Sequence, residues 1–517
     1  MADFGEILRN IGEFGLFQQL CLVALCIPVF TGPFFTASFV FIQVDPERHC
    51  NTDWIRRAAP NLTTGEQQNL TLPRELDGTF SRCQMFVPVN WSIDAIREKG
   101  LNETTECLNG WLYGNMLYEA TIVTDFDLVC EQARLVGVVQ AVYMVGVFLG
   151  CLIFGPSADL FGRKRAIQIP AVILFVFTAT IVLSPWFYLY LLFQFWVGVG
   201  FAGFQVNGAI LCTEWIGMSK RSWGACVSII FYSVGQCVLA GLNYAIRDWR
   251  GVQLVAAAIL AVVFIYIWFI PESARWLLNR GRSEEAKKLI VKAAAINKRP
   301  IEDNLLDKIT VNNNVDKGGV KVIFRSPLLT RYLCVVAISM FSLTLAVFSL
   351  HLNMADLGFN IFVTQLLFGA SEMLAVLLSM WVLQTIGRKH AYIATHLIAG
   401  LCFILIAAIP QVHTHAVTVL AVTARFFMLW AISVTSVYMQ ELFPTSVRQT
   451  ASALAHVFGK LGGILAPLLN MLIVYHWVIP NIVFSSLMLI CGVLGLLLPE
   501  TRRRELPDTA EEAENNQ

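Results

Sequence analysis

Charge is what this sequence has least of. Only 14% of its 517 residues are Asp, Glu, Lys or Arg, against about a quarter in an average soluble chain. Hydrophobic residues make up 56%, and mean hydropathy is +0.63. That shortage excludes an ordinary soluble protein and points to a polytopic membrane protein. The net charge of +1 offers no basic or acidic excess, so no nucleic acid or acidic macromolecular partner is expected. His-Glu-x-x-His and the phosphate-binding glycine loop are absent, as is any clustered His/Cys ligand spacing in the segments read below as cytoplasmic. An integral membrane enzyme therefore lacks its usual signatures, and no metal or cofactor is expected. The N-terminus also lacks a signal peptide's cationic start. One Arg, Arg9, and two Glu precede a long apolar stretch, which reads as an uncleaved first membrane helix.

What is present is apolar length. A membrane helix needs about 20 mostly apolar residues. Twelve such runs occur, at 16–42, 135–157, 166–185, 188–212, 224–246, 251–270, 331–353, 362–386, 391–409, 416–438, 449–474 and 478–498. The chain is therefore expected to be an all-α polytopic membrane protein with twelve transmembrane helices. Alternate short loops carry Arg163-Lys164-Arg165, Lys220-Arg221, Arg388-Lys389 and Arg448, and the opposite set has little beyond Arg247 and Arg250. By the bias of Lys and Arg toward the cytoplasm, the first set is cytoplasmic. So are residues 1–15, the linker 271–330 and the tail 499–517.

The segment 43–134 is then extracellular. It contains four glycosylation sequons, at Asn61, Asn69, Asn90 and Asn102, and four cysteines, Cys50, Cys83, Cys107 and Cys130. Four cysteines allow three pairings, and spacing alone does not choose one. The other nine read as small packing residues inside helices. In the linker, Ser283-Glu284-Glu285-Ala286-Lys287-Lys288 reads as an N-capped helix start. Asn312 to Gly319 reads as a loose connector. The tail runs from Arg502-Arg503-Arg504 to the acidic Glu511-Glu512 and reads as a solvated end.

Three marks recur at nearly constant spacing. Gly155-Pro156-Ser157-Ala158-Asp159-Leu160-Phe161-Gly162-Arg163-Lys164-Arg165 reads as a turn between two membrane helices, and Gly162-Arg163 returns 225 residues later as Gly387-Arg388. Glu214, with Arg221, returns as Glu441 with Arg448, an offset of 227. Pro271-Glu272-Ser273-Ala274-Arg275 returns as Pro499-Glu500-Thr501-Arg502, an offset of 228. Such long-period similarity implies two six-helix pseudo-repeats, a transporter architecture. The glycine–cation turns are expected to lock one half against the other. Glu214, Glu441, Glu272 and Glu500 are near enough in such a layout to pair with their cations.

On these residues the chain resembles the major facilitator superfamily, and within it the organic ion transporter family of anion, cation and carnitine-type carriers. The similarity rests on Asp159 to Lys164, on Pro271 to Leu277, on Glu441-Leu442-Phe443-Pro444-Thr445-Ser446-Val447-Arg448-Gln449-Thr450, and on the large cysteine-bearing first external loop. Ile11-Gly12-Glu13-Phe14-Gly15 and Gly462-Gly463-Ile464-Leu465-Ala466-Pro467 resemble the urate/nicotinate-type anion branch. The resemblance implies the major facilitator fold, pairs Cys50 with Cys107 and Cys83 with Cys130, and assigns gating to Asp159, Gly162, Arg163, Gly387, Arg388, Glu214, Glu441, Arg448, Glu272 and Arg275. Two positions depart from the pattern. Leu160 stands where the motif has Arg, and Gln194 stands where helix four often carries Arg.

Ionisable groups at membrane depth cost about 2.5–3.5 kcal/mol on insertion scales and so tend to face a wet cavity or a partner. Glu372, Arg425 and Lys460 qualify, with His456 one turn before Lys460 on the same face. Lys460 stands where the family's anion carriers have a cation and its cation carriers an Asp. Val376 stands where many anion carriers have a second cation. A fixed positive charge would attract a carboxylate and repel a quaternary ammonium; its bland alternative is an ion pair with Glu372. For Glu372 the favoured role is counter-ion to Lys460, with a cation site and a proton site as alternatives. Arg425 lines the path or packs the bundle. His456 titrates in the cavity or packs as a hydrogen-bonded core histidine. Family position suggests Tyr232, Phe348 and Tyr438 as aromatic walls, against plain packing. Asn207 and Gln236 read as helix-to-helix glue.

The expected function is a plasma-membrane carrier of small organic ions, chiefly nicotinate- or urate-like carboxylates, working by alternating access. Its partners are the substrate, the bilayer and a counter-anion or coupled ion. A cation or zwitterion carrier is the alternative within transport. A sugar carrier shares the turns and the Pro-Glu-Ser mark but not the external loop or Lys460. A non-transporting receptor would show no flux.

Overall fold

The computed structural model describes residues 4–43, 46–57, 59–75, 78–114, 120–217, 220–299, 301, 320–410, 412–444, 447–476 and 478–501. The connector from Asn312 to Gly319 and the charged tail after Thr501 lie outside these residues. Twelve helices among the described residues are long and apolar enough to cross a membrane. We number them α1 (Leu16–Phe30, continued by short turns to Ile42), α2 (Arg134–Phe161), α3 (Arg163–Ile181), α4 (Phe187–Trp215), α5 (Arg221–Ile246), α6 (Trp249–Tyr266), α7 (Pro327–Leu352), α8 (Ile361–Thr385), α9 (Arg388–Ala408), α10 (Thr414–Leu442), α11 (Arg448–Asn470) and α12 (Val478–Leu494). Helices α1–α6 form the first half and α7–α12 the second.

The helices run past their apolar stretches. Gly155 to Phe161 is not a turn but the last two turns of α2. The reversal is made by Gly162 alone, because a residue at φ +99° redirects the chain in one step. Gly387, at φ +101°, does the same between α8 and α9. We call this the glycine-turn end of the bundle and the opposite side the far end. Exposed Trp268 and Trp381 ring the glycine-turn end, and exposed Trp186 and Tyr188 the far end. Aromatic belts at two levels are how a membrane span is held at depth. Inside the first half, α2 and α4 touch backbone to backbone. A Cβ at Gly146 would strike the Phe195 carbonyl, and one at Gly198 the Tyr143 carbonyl. Asn207 ties three helices of this half, its Nδ2 donating to the carbonyls of Phe154, Ala166 and Gly203 at 2.9–3.1 Å.

The linker carries a helix over Ser283–Ile296, with Ser283 as its first helical residue rather than its cap. The helix is followed by Asn297, which knots the linker to α1. Asn297 Nδ2 donates to the Ile11 carbonyl and to Gln18 Oε1, both at 2.9 Å, and its Oδ1 accepts from Phe17 N–H at 2.8 Å. Gly15 leaves room for that side chain.

Residues Phe41–Val138 with Ile246–Trp249 form a second compact unit. It is small and loop-rich. β1 (Arg48–Cys50) pairs antiparallel with β4 (Trp111–Tyr113), and β2 (Gln84–Phe86) with β3 (Thr104–Glu106). One buried cluster in it packs Cys50, Leu72 and Met85 on Trp54 and Phe80. A unit of this size gains from covalent help. Cys50 is bonded to Cys107 and Cys83 to Cys130. The helix Thr64–Thr71 opens with a capping box, Thr63 with Glu66. Those hydrogen bonds from Thr63 hold the exposed Glu66 carboxyl below its ordinary range.

The bridges close loops of 57 and 47 residues, each a constraint of about 4 kcal/mol on the unfolded unit. Cys83→Ser with Cys130→Ser should therefore lower the folded yield several-fold, measured as monodisperse protein after solubilisation. A yield equal to that of the native chain would show that this bridge is dispensable.

Candidate functional site

The glycine-turn end is built twice, once in each half. Gly162 delivers Arg163 to the last turn of α4, where its Nε and Nη2 donate to the Glu214 carboxylate at 2.9–3.1 Å. Arg163 Nη1 also donates to the Ala158 carbonyl. In the second half Arg388 donates to Glu441 at 2.9–3.2 Å, and Thr501 adds its hydroxyl to the same carboxylate. Glu272 and Glu500 bind backbone amides, and Glu500 also lies 3.7 Å from His390 Nδ1. Glu272 accepts the Lys164 backbone N–H at 3.0 Å, and Glu500 those of Arg388 and Lys389 at 3.0 and 3.1 Å. Each satisfies the orphan amides at the start of a helix and faces its positive dipole end. The glycines have to be glycines. A Cβ on Gly162 would lie 2.5 Å from Glu272 Oε2, and one on Gly387 2.8 Å from Glu500 Oε2.

The Arg163–Glu214 and Arg388–Glu441 pairs each lie within one half, because each turn sets its arginine beside the glutamate that ends the neighbouring helix. Arg448 Nε bonds the Phe443 carbonyl of its own turn, and Arg275 is exposed. Asp159 lies in α2, and its side chain falls outside the described residues.

Toward the far end, buried polar groups do join the halves. Gln236 of α5 donates to Glu372 Oε2 of α8 at 2.9 Å. Arg425 of α10 reaches the same oxygen at 3.8 Å, sits 4.6 Å above the Phe368 ring, and faces Gln236 Oε1 at 3.5 Å. Its Nη1 lies 3.0 Å from His351 Nδ1 at the end of α7. Arginine only donates, so the imidazole receives through its lone pair. Glu372 and Arg425 are almost wholly enclosed, at 7% and 1% exposure. Removing one member of such a pair strands the other, at a cost of about 3–5 kcal/mol. Tyr232 stands beside this cluster, its hydroxyl 2.7 Å from Thr36 of the first span. The rings of Tyr244 and Phe362 pack edge to face on the same two helices, and Gly369 of α8 sits against Cys237 of α5.

Glu372 is thus not the counter-ion of Lys460; its partners are Gln236 and Arg425, which lie closer on the facing helix surfaces. Lys460, midway along α11, makes no hydrogen bond or ion pair among the described residues. It is half-buried, and its charge reaches His456 on its own helix and Cys151 on α2. Phe348 lines the same neighbourhood, against Gly463 and near the His351 ring. The assignment of Tyr438 to an aromatic wall is also corrected. Its ring is fully buried against Tyr392 and its hydroxyl donates to the Pro499 carbonyl, because it lies on the face of α10 that packs onto α9. Gln236, read as helix-to-helix glue, joins α5 to α8 across the two halves. His351, Thr36 and Cys151 were not legible as site residues. A lone histidine at a helix end, a threonine and a cysteine are each common packing residues until the fold brings them to a charge.

Two related halves with matched turns, around a midspan ammonium and a cross-half polar cluster, are the layout of a carrier. The family model described as sugar (and other) transporter matches residues 89–513. Human solute carrier family 22 member 13 is 37% identical, over 99% of this chain and 94% of its own length. The chain belongs to the organic ion transporter family of the major facilitator superfamily. Organic anion transporter 3 of Sus scrofa is 31% identical to the transporter, over 99% and 93% of the two chains. Solute carrier family 22 member 7 of Rattus norvegicus is 31% identical, over 99% and 98%. The inward-open xylose transporter XylE from E. coli shares the transporter's fold at a TM-score of 0.60, with 15% identity over 97% and 99% of the two chains. Its relatives and structural neighbours are carriers, not enzymes.

Gly162→Ala should destabilise the transporter by about 1–2 kcal/mol or more, from the left-handed backbone alone. Gly155→Ala, in open helix, should be neutral or gain about 0.5–1 kcal/mol. Thermal unfolding of the two purified variants checks the contrast.

Proposed function

We propose that the transporter carries small organic anions, nicotinate- and urate-like carboxylates, across the plasma membrane by alternating access, with both termini cytoplasmic. The observation that carries this reading is a mismatch of charge. Arg425 is balanced by Glu372, whereas Lys460 has no partner among the described residues. The space beside Lys460 is therefore electropositive and favours a carboxylate over a quaternary ammonium. The names of relatives such as organic anion transporter 3 support the same direction. A cation or zwitterion carrier would need a free midspan carboxylate, and Glu372 is committed to Gln236 and Arg425.

Cations cluster at the glycine-turn end, so that end faces the cytoplasm. The contacts described between the halves lie toward the far end, on α5 with α8 and on α2 with α11. The state is then inward-facing. Exchange against an internal carboxylate is the coupling that fits a site with one fixed positive charge. The paired turns, rigid within each half, let each half move as a body while the cross-half cluster is broken and remade. Asn61, Asn69, Asn90 and Asn102 are all exposed and available for glycans.

Lys460→Asp should lower uptake of labelled nicotinate at least about tenfold and raise that of tetraethylammonium, since one pKa-sized change in interaction is tenfold. An unchanged uptake ratio, with normal surface expression, sinks the charge-selection reading. Peptide N-glycosidase should sharpen and lower the band of the cell-surface protein. A mobility untouched by the enzyme removes the glycans and, with them, the support for an external loop.

A further inference from the structure

The groups around Lys460 come from both halves, and one of them belongs to no motif. Helices α2 and α11 run in opposite directions and meet near the far end, where a Cβ on Gly463 would lie 3.2 Å from Met144 Sδ. From that contact both helices can be followed toward the glycine-turn end. Seven residues along α2, two turns and about 10 Å away, lies Cys151 on the face that carries Met144. Three and seven residues back along α11 lie Lys460 and His456, on the face of Gly463. The register therefore sets Cys151 level with His456, about 10 Å from the contact, with Lys460 about one turn nearer to it. Their surroundings agree. Cys151 and Lys460 are half-buried and His456 is exposed, although all three lie well inside membrane spans. Cys151 has no hydrogen bond among the described residues, whereas Cys26 and Cys491 each face a serine hydroxyl.

We propose that Cys151 is the first half's contribution to the anion subsite, facing the Lys460 ammonium and bounding the room left for the substrate's carboxylate end. The inference rests on the anion reading above. The same placement makes Cys151 the point at which a negatively charged thiol reagent is delivered. A methanethiosulfonate then reacts with its thiolate: a disulfide forms to the reagent's sulfenyl sulfur, methanesulfinate leaves with the bonding pair, and the thiol proton goes to water.

The test uses the full-length transporter in permeabilised cells, with two reagents of opposite charge. These are 2-sulfonatoethyl and 2-(trimethylammonio)ethyl methanethiosulfonate, each normalised to its rate with 2-mercaptoethanol. Labelling of the Cys151 peptide is read by mass spectrometry. The anionic reagent should label Cys151 at least about tenfold faster, the scale of electrostatic focusing in a charged cleft. Lys460→Gln should bring the two rates together, and saturating nicotinate should slow the anionic reaction several-fold. Equal rates in the native chain, or no labelling of Cys151 by either reagent, overturn the proposal. A strong anionic preference that nicotinate does not slow supports the placement of Cys151 and counts against nicotinate as the substrate class.

Discussion

An ion enclosed in a helix bundle has to be matched by another group of the protein, because hydrocarbon offers nothing in return. That constraint orders most of the polar structure here. Arg163 is matched by Glu214 and Arg388 by Glu441. Glu272 and Glu500 are matched by the first amides of the helices that follow each glycine turn. Arg425 and Glu372 are matched by one another and by Gln236. Lys460, at midspan, makes no hydrogen bond or ion pair among the described residues.

The placement of the matched groups divides their work. At the glycine-turn end the Arg163–Glu214 and Arg388–Glu441 pairs each lie within one half, so separating the halves there breaks neither of them. Toward the far end the cluster of Gln236, Glu372 and Arg425 spans the two halves, so opening that side must separate groups that are nearly free of solvent. The two ends therefore differ in what opening demands of them. One end can gape with those two ion pairs intact, and the other needs a replacement partner or an invading water for each group it exposes.

The architecture was legible because hydropathy is summed over about 20 residues and tolerates local error. The twelve spans, the repeat offsets and the lysine–arginine asymmetry all survive a few misplaced ends. The pairing of charges was not legible in the same way. Glu272 and Glu500 read as partners for the nearby cations; the structure gives both of them backbone amides, which every residue carries and no letter marks, and sets His390 beside Glu500. Glu372 was assigned to Lys460 as a charge at similar depth. Depth says nothing of rotation about the helix axis, and α8 turns that carboxylate toward α5 and α10. Tyr438 failed for the same reason: one face of α10 looks across the bundle and the next looks into the packed interior of its own half. Cys151 needed the crossing of α2 and α11 before its neighbours had any meaning.

The knot at Asn297 bears on how the whole chain is joined. Its amide grips the start of α1 through Ile11, Phe17 and Gln18, so the helix Ser283–Ile296 is moored to the first half although it sits in the middle of the sequence. The helix and the start of α1 therefore share one frame of reference. A spectroscopic reporter on that helix would act as a compass fixed to one hemisphere, blind to displacement of the other except through its distance to it.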